Sequence, residues 1–240
     1  VTRLTTCADA ATVAERAAMH VSGALERARA ERGVAHLALS GGTTPGQTYE
    51  LLAARPAELS ATELWFADER CVGPEDEDSN YRLARQSGLA GGAIPDSLVH
   101  RMEGELGPEL GAERYAELLT AHLSSTAGEQ VPVLDLVVLG IGPDGHVASL
   151  FPGSPTLKAG ADATCLGISD SPKPPPERIT LSLAVLRAAR GCLLLATGAG
   201  KADAVDAMLG EPSPHVPASL LRRERLTVIL DDAAAPAPRR

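Results

Sequence analysis

Residues 133–146, "VLDLVVLGIGPDGH", carry the reading of the fold. The first seven are apolar except for Asp135, a run of strand length that ends in glycine. A strand apolar on both faces is expected where helices cover both sides of a parallel sheet, because a half-solvated strand alternates instead. The run opens into Gly140, Gly142 and Gly145, which match G-x-G-x-x-G, the spacing that lets backbone close on a dinucleotide's pyrophosphate. That reading needs a long crossover helix after the third glycine and an acidic residue about 20 positions on. Here "HVASLF" offers less than two turns before Pro152, Pro143 interrupts the turn, and Asp170 runs straight into "SPKPPPE" (171–177). The dinucleotide reading is set aside. What remains is a strand end presenting Asp144 and His146 on a glycine-flanked turn. An imidazole, with an ordinary pKa of about 6.5, suits general acid–base work. The glycines read as clearance for a substrate, and a capping or packing histidine is the plainer alternative.

Working outward, "DAATVAERAAMHVSGALERARAERG" fits a helix capped by Asp9 and ended by Gly33. "VAHLALS" (34–40) is a strand, and "GGTTPG" turns into a helix with Thr44 as N-cap, Pro45 at its first position and Gln47 as capping-box partner. "TELWFADER" (62–70) reads as one strand, and Ser79 caps "SNYRLARQ". A helix over "GPELGAERYAELLTAHLSS" follows, and after the central strand come "ATCLGIS", "ERITLSLAVLRAAR", "GCLLLATG", "GKADAVDAML" and "LTVILDD". Strands alternate with helices, which predicts an α/β fold with an open, mostly parallel Rossmann-like sheet and helices on both faces. No internal repeat or linker divides the chain, so residues 1–240 are expected to form a single domain, with the "AAAPAPRR" tail (233–240) disordered.

Composition narrows the function classes. Of 240 residues, 44% are hydrophobic and 22% charged, which is ordinary for a globular chain with ample core. A formal net charge of −9 and only 2% aromatic residues argue against nucleic acid, which asks for a basic surface and stacking platforms. No apolar run approaches the roughly 18 residues a membrane span needs. Cys7, Cys71, Cys165 and Cys192 are scattered with no C-x-x-C pair, and no signal segment is recognisable. A reducing, cytoplasmic setting is the expectation.

In open parallel sheets ligands bind beyond the carboxyl ends of the strands. Four such ends are polar here: "SGGTTPG", "ADER", "GPDGH" and "TGAGK". The first places backbone N–H groups at a helix start, an anion site or simply a tight turn. "TGAGK" repeats the device with Lys201. It is no Walker motif, because Leu195 stands where the first glycine is required and Ala202 replaces the magnesium-binding hydroxyl. Arg70 in "ADER" can fork onto a phosphate or form a surface ion pair. Arg178, after the prolines, is either a phosphate clamp or an edge-strand charge. "EDED" (75–78) lacks nearby histidines and Ca²⁺-loop spacing, and reads as a solvated face rather than a metal site. "ALSGG" (38–42) is one substitution from G-x-S-x-G, so a Ser40…Asp…His146 triad is a minor alternative, weakened because Ser40 follows the first assigned strand.

Together, "LALSGGTTP", "WFADERCV" with "DSNYRLA", "LDLVVLGIGPDGHVASLFPGSP", "KPPPERITLSL" and "LLLATGAGK" resemble the 6-phosphogluconolactonases, within the group that includes glucosamine-6-phosphate deaminase/isomerase. The matches run in order over residues 37–201. The resemblance implies hydrolysis of 6-phospho-D-glucono-1,5-lactone in the pentose phosphate pathway, with no metal or organic cofactor. It implies His146 as general base and Asp144 as its orienting partner. It implies substrate contacts from Gly41, Gly42, Thr43, Arg70, Arg178 and Lys201, with Asp68 lining the pocket. The expected partner is then a small phosphosugar lactone, with no nucleic acid and no membrane, and the expected state of the chain is a monomer or weak homo-oligomer. A deaminase/isomerase is the alternative enzyme, but it relays a ring-opening histidine to a glutamate shortly after the turn, and residues 147–160 contain none. A sugar-phosphate sensor domain is the non-enzymatic alternative, and the helix-turn-helix and basic face it calls for are not seen.

Overall fold

The computed structural model describes residues 2–123 and 130–236. In chain order the elements are β1 (Arg3–Cys7), α1 (Ala10–Arg32), β2 (Ala35–Leu39), α2 (Thr43–Ala53), β3 (Thr62–Phe66), β4 (Asp68–Arg70), α3 (Asn80–Gln86) and α4 (Pro108–His122). They continue with β5 (Leu136–Gly140), β6 (Cys165–Ile168), β7 (Arg178–Leu181), α5 (Leu183–Ala188), β8 (Cys192–Ala196), α6 (Ala202–Leu209) and β9 (Leu226–Asp231). A six-stranded sheet in the order β1-β9-β8-β5-β2-β3 is parallel throughout, and a three-stranded antiparallel sheet in the order β4-β7-β6 stands beside it. The expected α/β class with a mostly parallel sheet is therefore what the chain adopts.

The apolar run ends up where its composition requires. β5 lies between β2 and β8, and Leu136, Val137, Val138 and Leu139 are buried on both faces. From β2 the chain adds β3 on one side and β5 on the other, so the strand order reverses between β2 and β5. A crevice opens at such a point beyond the carboxyl ends. Helix ends follow the local chemistry: Asp9 accepts the Thr12 N–H at 2.8 Å, Gly33 takes the left-handed conformation at φ +80°, and Ser79 accepts the Arg82 N–H at 3.2 Å.

Four expectations need correction. "TELWFADER" is two strands, because Ala67 turns between the sheets: its N–H donates to Leu39 O at 2.6 Å and its carbonyl accepts from Leu181 N–H at 2.8 Å. Thr44 does not cap α2. Gly42, at φ +113°, admits the chain into the helix two residues earlier, and the Thr44 hydroxyl meets that of Thr197 at 2.6 Å. The edge strand β1 precedes the first helix where no element was assigned. The tail is ordered further than expected: Ala234 is fully buried and donates to Asp231 Oδ1 at 2.8 Å. The rest of that tail, 237–240, lies outside the described residues.

Candidate active site

The carboxyl ends of β2, β5 and β8 meet the small sheet around a cleft of about 430 Å³. Gly41, Gly42 and Thr43 line it from the β2–α2 turn, Asp68 and Arg70 from β4, and His146 from the loop after β5. Arg178 enters from β7 and Lys201 from the start of α6. Asp144 is the exception among the candidates from sequence, standing behind the imidazole rather than on the cleft wall. The chain also brings in Asn80, Lys173 and Thr197, which the sequence reading did not single out.

His146 Nδ1 lies 2.6 Å from Asp144 Oδ1. Burial pushes the Asp144 carboxyl up, but the His146 hydrogen bond and the His146 and Lys173 charges outweigh it and leave it lowered. An ionised carboxylate only accepts, so Nδ1 carries the ring proton and Nε2 keeps a free lone pair. Burial holds the His146 proton affinity below that of an ordinary histidine. The bond and charge of Asp144 oppose this, and the nearby Lys173 ammonium adds to it. One wall of this burial is Phe151, whose ring centroid is 4.6 Å from that of His146 and 5.7 Å from the Arg178 guanidinium. The imidazole is thus neutral, oriented and partly screened from water, which is the state a general base needs.

Three of the glycines make room for the protein's own atoms. A Cβ at Gly142 would overlap His146 Nδ1 and Cε1 and Asp144 Oδ1. One at Gly41 would overlap Asn80 Oδ1, and one at Gly145, already at φ +81°, would lie 2.8 Å from Val216 Cγ1. Asn80 needs that space because its Nδ2 donates to the Asp68 carbonyl at 2.8 Å. Ser149 Oγ donates to Asp68 Oδ2 at 2.7 Å, so Asp68 is fixed from two sides and only 4% exposed.

The cations have different freedom. Arg178 was open between a clamp and an edge charge, and it is not an edge charge: β7 is the middle strand of its sheet, and the residue is 5% exposed. Its Nε donates to Pro175 O at 3.1 Å, and NH2 donates to Pro174 O at 3.0 Å and Lys173 O at 3.3 Å. Arg178 is mainly the anchor of the proline-rich loop. Arg70 reaches only the Asp78 carbonyl through NH1, and its buried Nε has no partner, a costly state unless something enters the cleft to accept from it. Lys201 sits in the turn before α6, where burial first and the Lys173 charge second lower its proton affinity. No side chain caps the first turn of α2, so the start of that helix meets the cleft with its own N–H groups.

Ser40 has no nucleophile's setting. Its hydroxyl is buried, donates to Val138 O at 2.8 Å and accepts from Gly140 N–H at 3.3 Å, and so ties β2 to β5. Among the described residues no group of histidine, cysteine or carboxylate side chains is arranged to hold a metal ion, and no helix is long and apolar enough to cross a membrane.

The family model described as glucosamine-6-phosphate isomerases/6-phosphogluconolactonase matches residues 8–230. The chain is 41% identical to human 6-phosphogluconolactonase and 40% identical to that of Rattus norvegicus, each match covering 93% of this chain and 85% of the relative. The crystal structure of 6-phosphogluconolactonase from Leishmania guyanensis superposes with a TM-score of 0.87 at 28% identity, over 98% of this chain and 97% of that one.

Proposed function

This chain belongs to the family of glucosamine-6-phosphate isomerases and 6-phosphogluconolactonases, and we propose that it hydrolyses 6-phospho-D-glucono-1,5-lactone to 6-phospho-D-gluconate with His146 as general base. Within that family it is a lactone hydrolase of the 6-phosphogluconolactonase type. The observation that carries the mechanism is the Asp144–His146 pair, 2.6 Å apart, whose imidazole lines the same cleft as Arg70 at the reversal of strand order, with Arg70 Nε unpartnered among the described residues.

Nε2 takes a proton from water as the oxygen attacks the lactone carbonyl carbon. The carbonyl π pair moves onto oxygen, and the tetrahedral oxyanion then collapses and breaks the bond to the ring oxygen, which receives the proton back from the imidazolium. Asp144 holds Nδ1–H throughout. A δ-lactone is already activated, so one base worth about 10²–10⁴-fold is enough, and no covalent nucleophile is needed. Arg70, Lys201 and the start of α2 receive the phosphate, a group remote from the reacting carbon whose binding energy orients it.

The test is a pH-stat assay on the lactone, with EDTA present and glucosamine 6-phosphate in a parallel reaction. His146→Ala is expected to lose about 10²–10⁴-fold in kcat while still binding 6-phosphogluconate. Full activity in that variant would refute the assigned base. No ammonia release from glucosamine 6-phosphate is expected, in line with the lack of glutamate in residues 147–160.

A further inference from the structure

Arg70, Lys201 and Arg178 have assigned work in this cleft, and a fourth cation, Lys173, reaches it from a different direction. Its Nζ lies 3.3 Å from His146 Nδ1 and 3.4 Å from Asp144 Oδ1, across 27 residues of chain from the imidazole. Its backbone is pinned on both sides. The Lys173 N–H donates to Ser171 Oγ at 3.2 Å, and its carbonyl accepts from Ser171 Oγ at 2.9 Å and from Arg178 NH2 at 3.3 Å. Pro174, Pro175 and Pro176 follow, with φ fixed and no N–H to realign. The backbone thus fixes where the side chain starts, and the ammonium rests on the Asp144–His146 pair although the side chain is 37% exposed.

We propose that Lys173 is a positioning residue for the general base: its ammonium shares the Asp144 carboxylate with the imidazole and keeps Nε2 free of a proton until it takes one from the attacking water. This rests on the reading of His146 as base. Asp144 stabilises an imidazolium and so works against the burial that keeps the base neutral, and Lys173 works with that burial. With Nδ1–H already pointed at Asp144, the ammonium has no lone pair to bond on the ring, so its 3.3 Å contact acts through charge. Protonating Nε2 would then place two cations against one carboxylate. The groups whose charges bear on His146 are Asp144 on its own turn, Lys173 from the 171–178 loop and Asp68 from β4. Lys201 senses the same Lys173 and Asp144 charges from the α6 side. During the reaction the oxyanion formed in the same cleft offsets the transient excess of positive charge.

Two readouts test this on the full chain. One is the pH dependence of kcat/KM, and the other is the NMR titration of the His146 imidazole without substrate, in wild type, Lys173→Met and Lys173→Arg. In Lys173→Met the acidic limb is expected to move to higher pH, with activity at its foot reduced by roughly five- to tenfold. The imidazole is expected to titrate at correspondingly higher pH, and Lys173→Arg should restore both. An unmoved titration in Lys173→Met overturns the proposal. So does a loss confined to KM at every pH, which makes Lys173 a ligand for the substrate anion. A shifted titration with an unmoved limb, together with an active His146→Ala, overturns the base role of His146 and leaves only the charge coupling.

Discussion

Alanine at position 142 makes the sharpest test of what the glycine turn is for. Gly142 is not among the residues with positive φ, so alanine's backbone preferences are no obstacle. The methyl group is the whole perturbation, and it would overlap the atoms that make the Asp144–His146 bond. An ordinary carbon contact is about 3.5 Å, so the ring must give by more than ~1 Å. The backbone cannot retreat: the Gly142 N–H donates to His146 O at 2.9 Å, and the Gly142 carbonyl accepts from Gly145 N–H at 2.9 Å. Phe151 limits the ring on another side. The 2.6 Å bond is therefore broken or the imidazole turned. A misplacement of ~1 Å can cost on the order of 10²-fold, and the most a lost base costs is about 10⁴-fold. We expect Gly142→Ala to lower kcat by ~10²–10³-fold, with KM within about threefold because Arg70 and Lys201 lie on other strand ends. Stability should fall by about 1–3 kcal/mol, the usual range for overpacking. It should fall toward the low end, since Asp144 is 34% exposed. Initial rates on the lactone, thermal melts and the imidazole NMR spectrum measure all three. Gly140→Ala is the control, because a Cβ there meets nothing closer than Gly41 O at 3.9 Å. A folded Gly142→Ala enzyme with kcat within threefold of wild type, or equal losses in both variants, would refute the reasoning.

Two further outcomes follow from the same geometry. Arg70→Met should raise KM for the phosphorylated lactone by about 10–100-fold, the range for losing a charge-assisted hydrogen bond. It should have little effect on unphosphorylated gluconolactone, and equal losses on both substrates would contradict a phosphate contact. Burial, opposed by Glu63, holds His36 and His100 below the ordinary histidine range. The unfolded chain, titrating near ~6.5, therefore takes up protons first as pH falls. The melting temperature should be steady above about pH 7 and decline through pH 6.5 and below, with a shallower slope in His36→Gln/His100→Gln. Trp65, stacked on His100 at 4.0 Å, gives the fluorescence signal, and an unchanged slope in that variant would rule these histidines out.

What the sequence made legible follows from periodicity and caps. Asp9, Gly33 and Ser79 act within three or four residues of themselves, so their roles can be read locally. The break at Ala67 cannot, because it is caused by two partners, Leu39 and Leu181, from distant strands. β1 was missed for a related reason. "RLTTC" is an edge strand exposed over four of its five residues, so burial imposes no pattern on it. In the site, residues on strand ends were visible from topology alone, which is why most candidates line one cleft. Lys173, Asn80 and Ser149 were not, since each is placed by a contact with a segment distant in the chain.

The strand order also explains why a nucleotide-like spacing recurs without a nucleotide. A parallel sheet reverses between β2 and β5, and whatever uses the crevice must be presented by the loop leaving β5. A dinucleotide-binding protein meets that demand with a helix dipole, and its glycines clear the way for pyrophosphate. Here no α-helix lies between β5 and β6, so charge must be supplied by side chains, and the imidazole folds back over its own turn to reach Asp144. The closest approach in the loop is then between protein atoms: Gly142 against the His146–Asp144 pair and Gly145 against Val216. The same spacing of glycines answers the same need for close approach, and the object approached has changed from a bound phosphate to the imidazole itself.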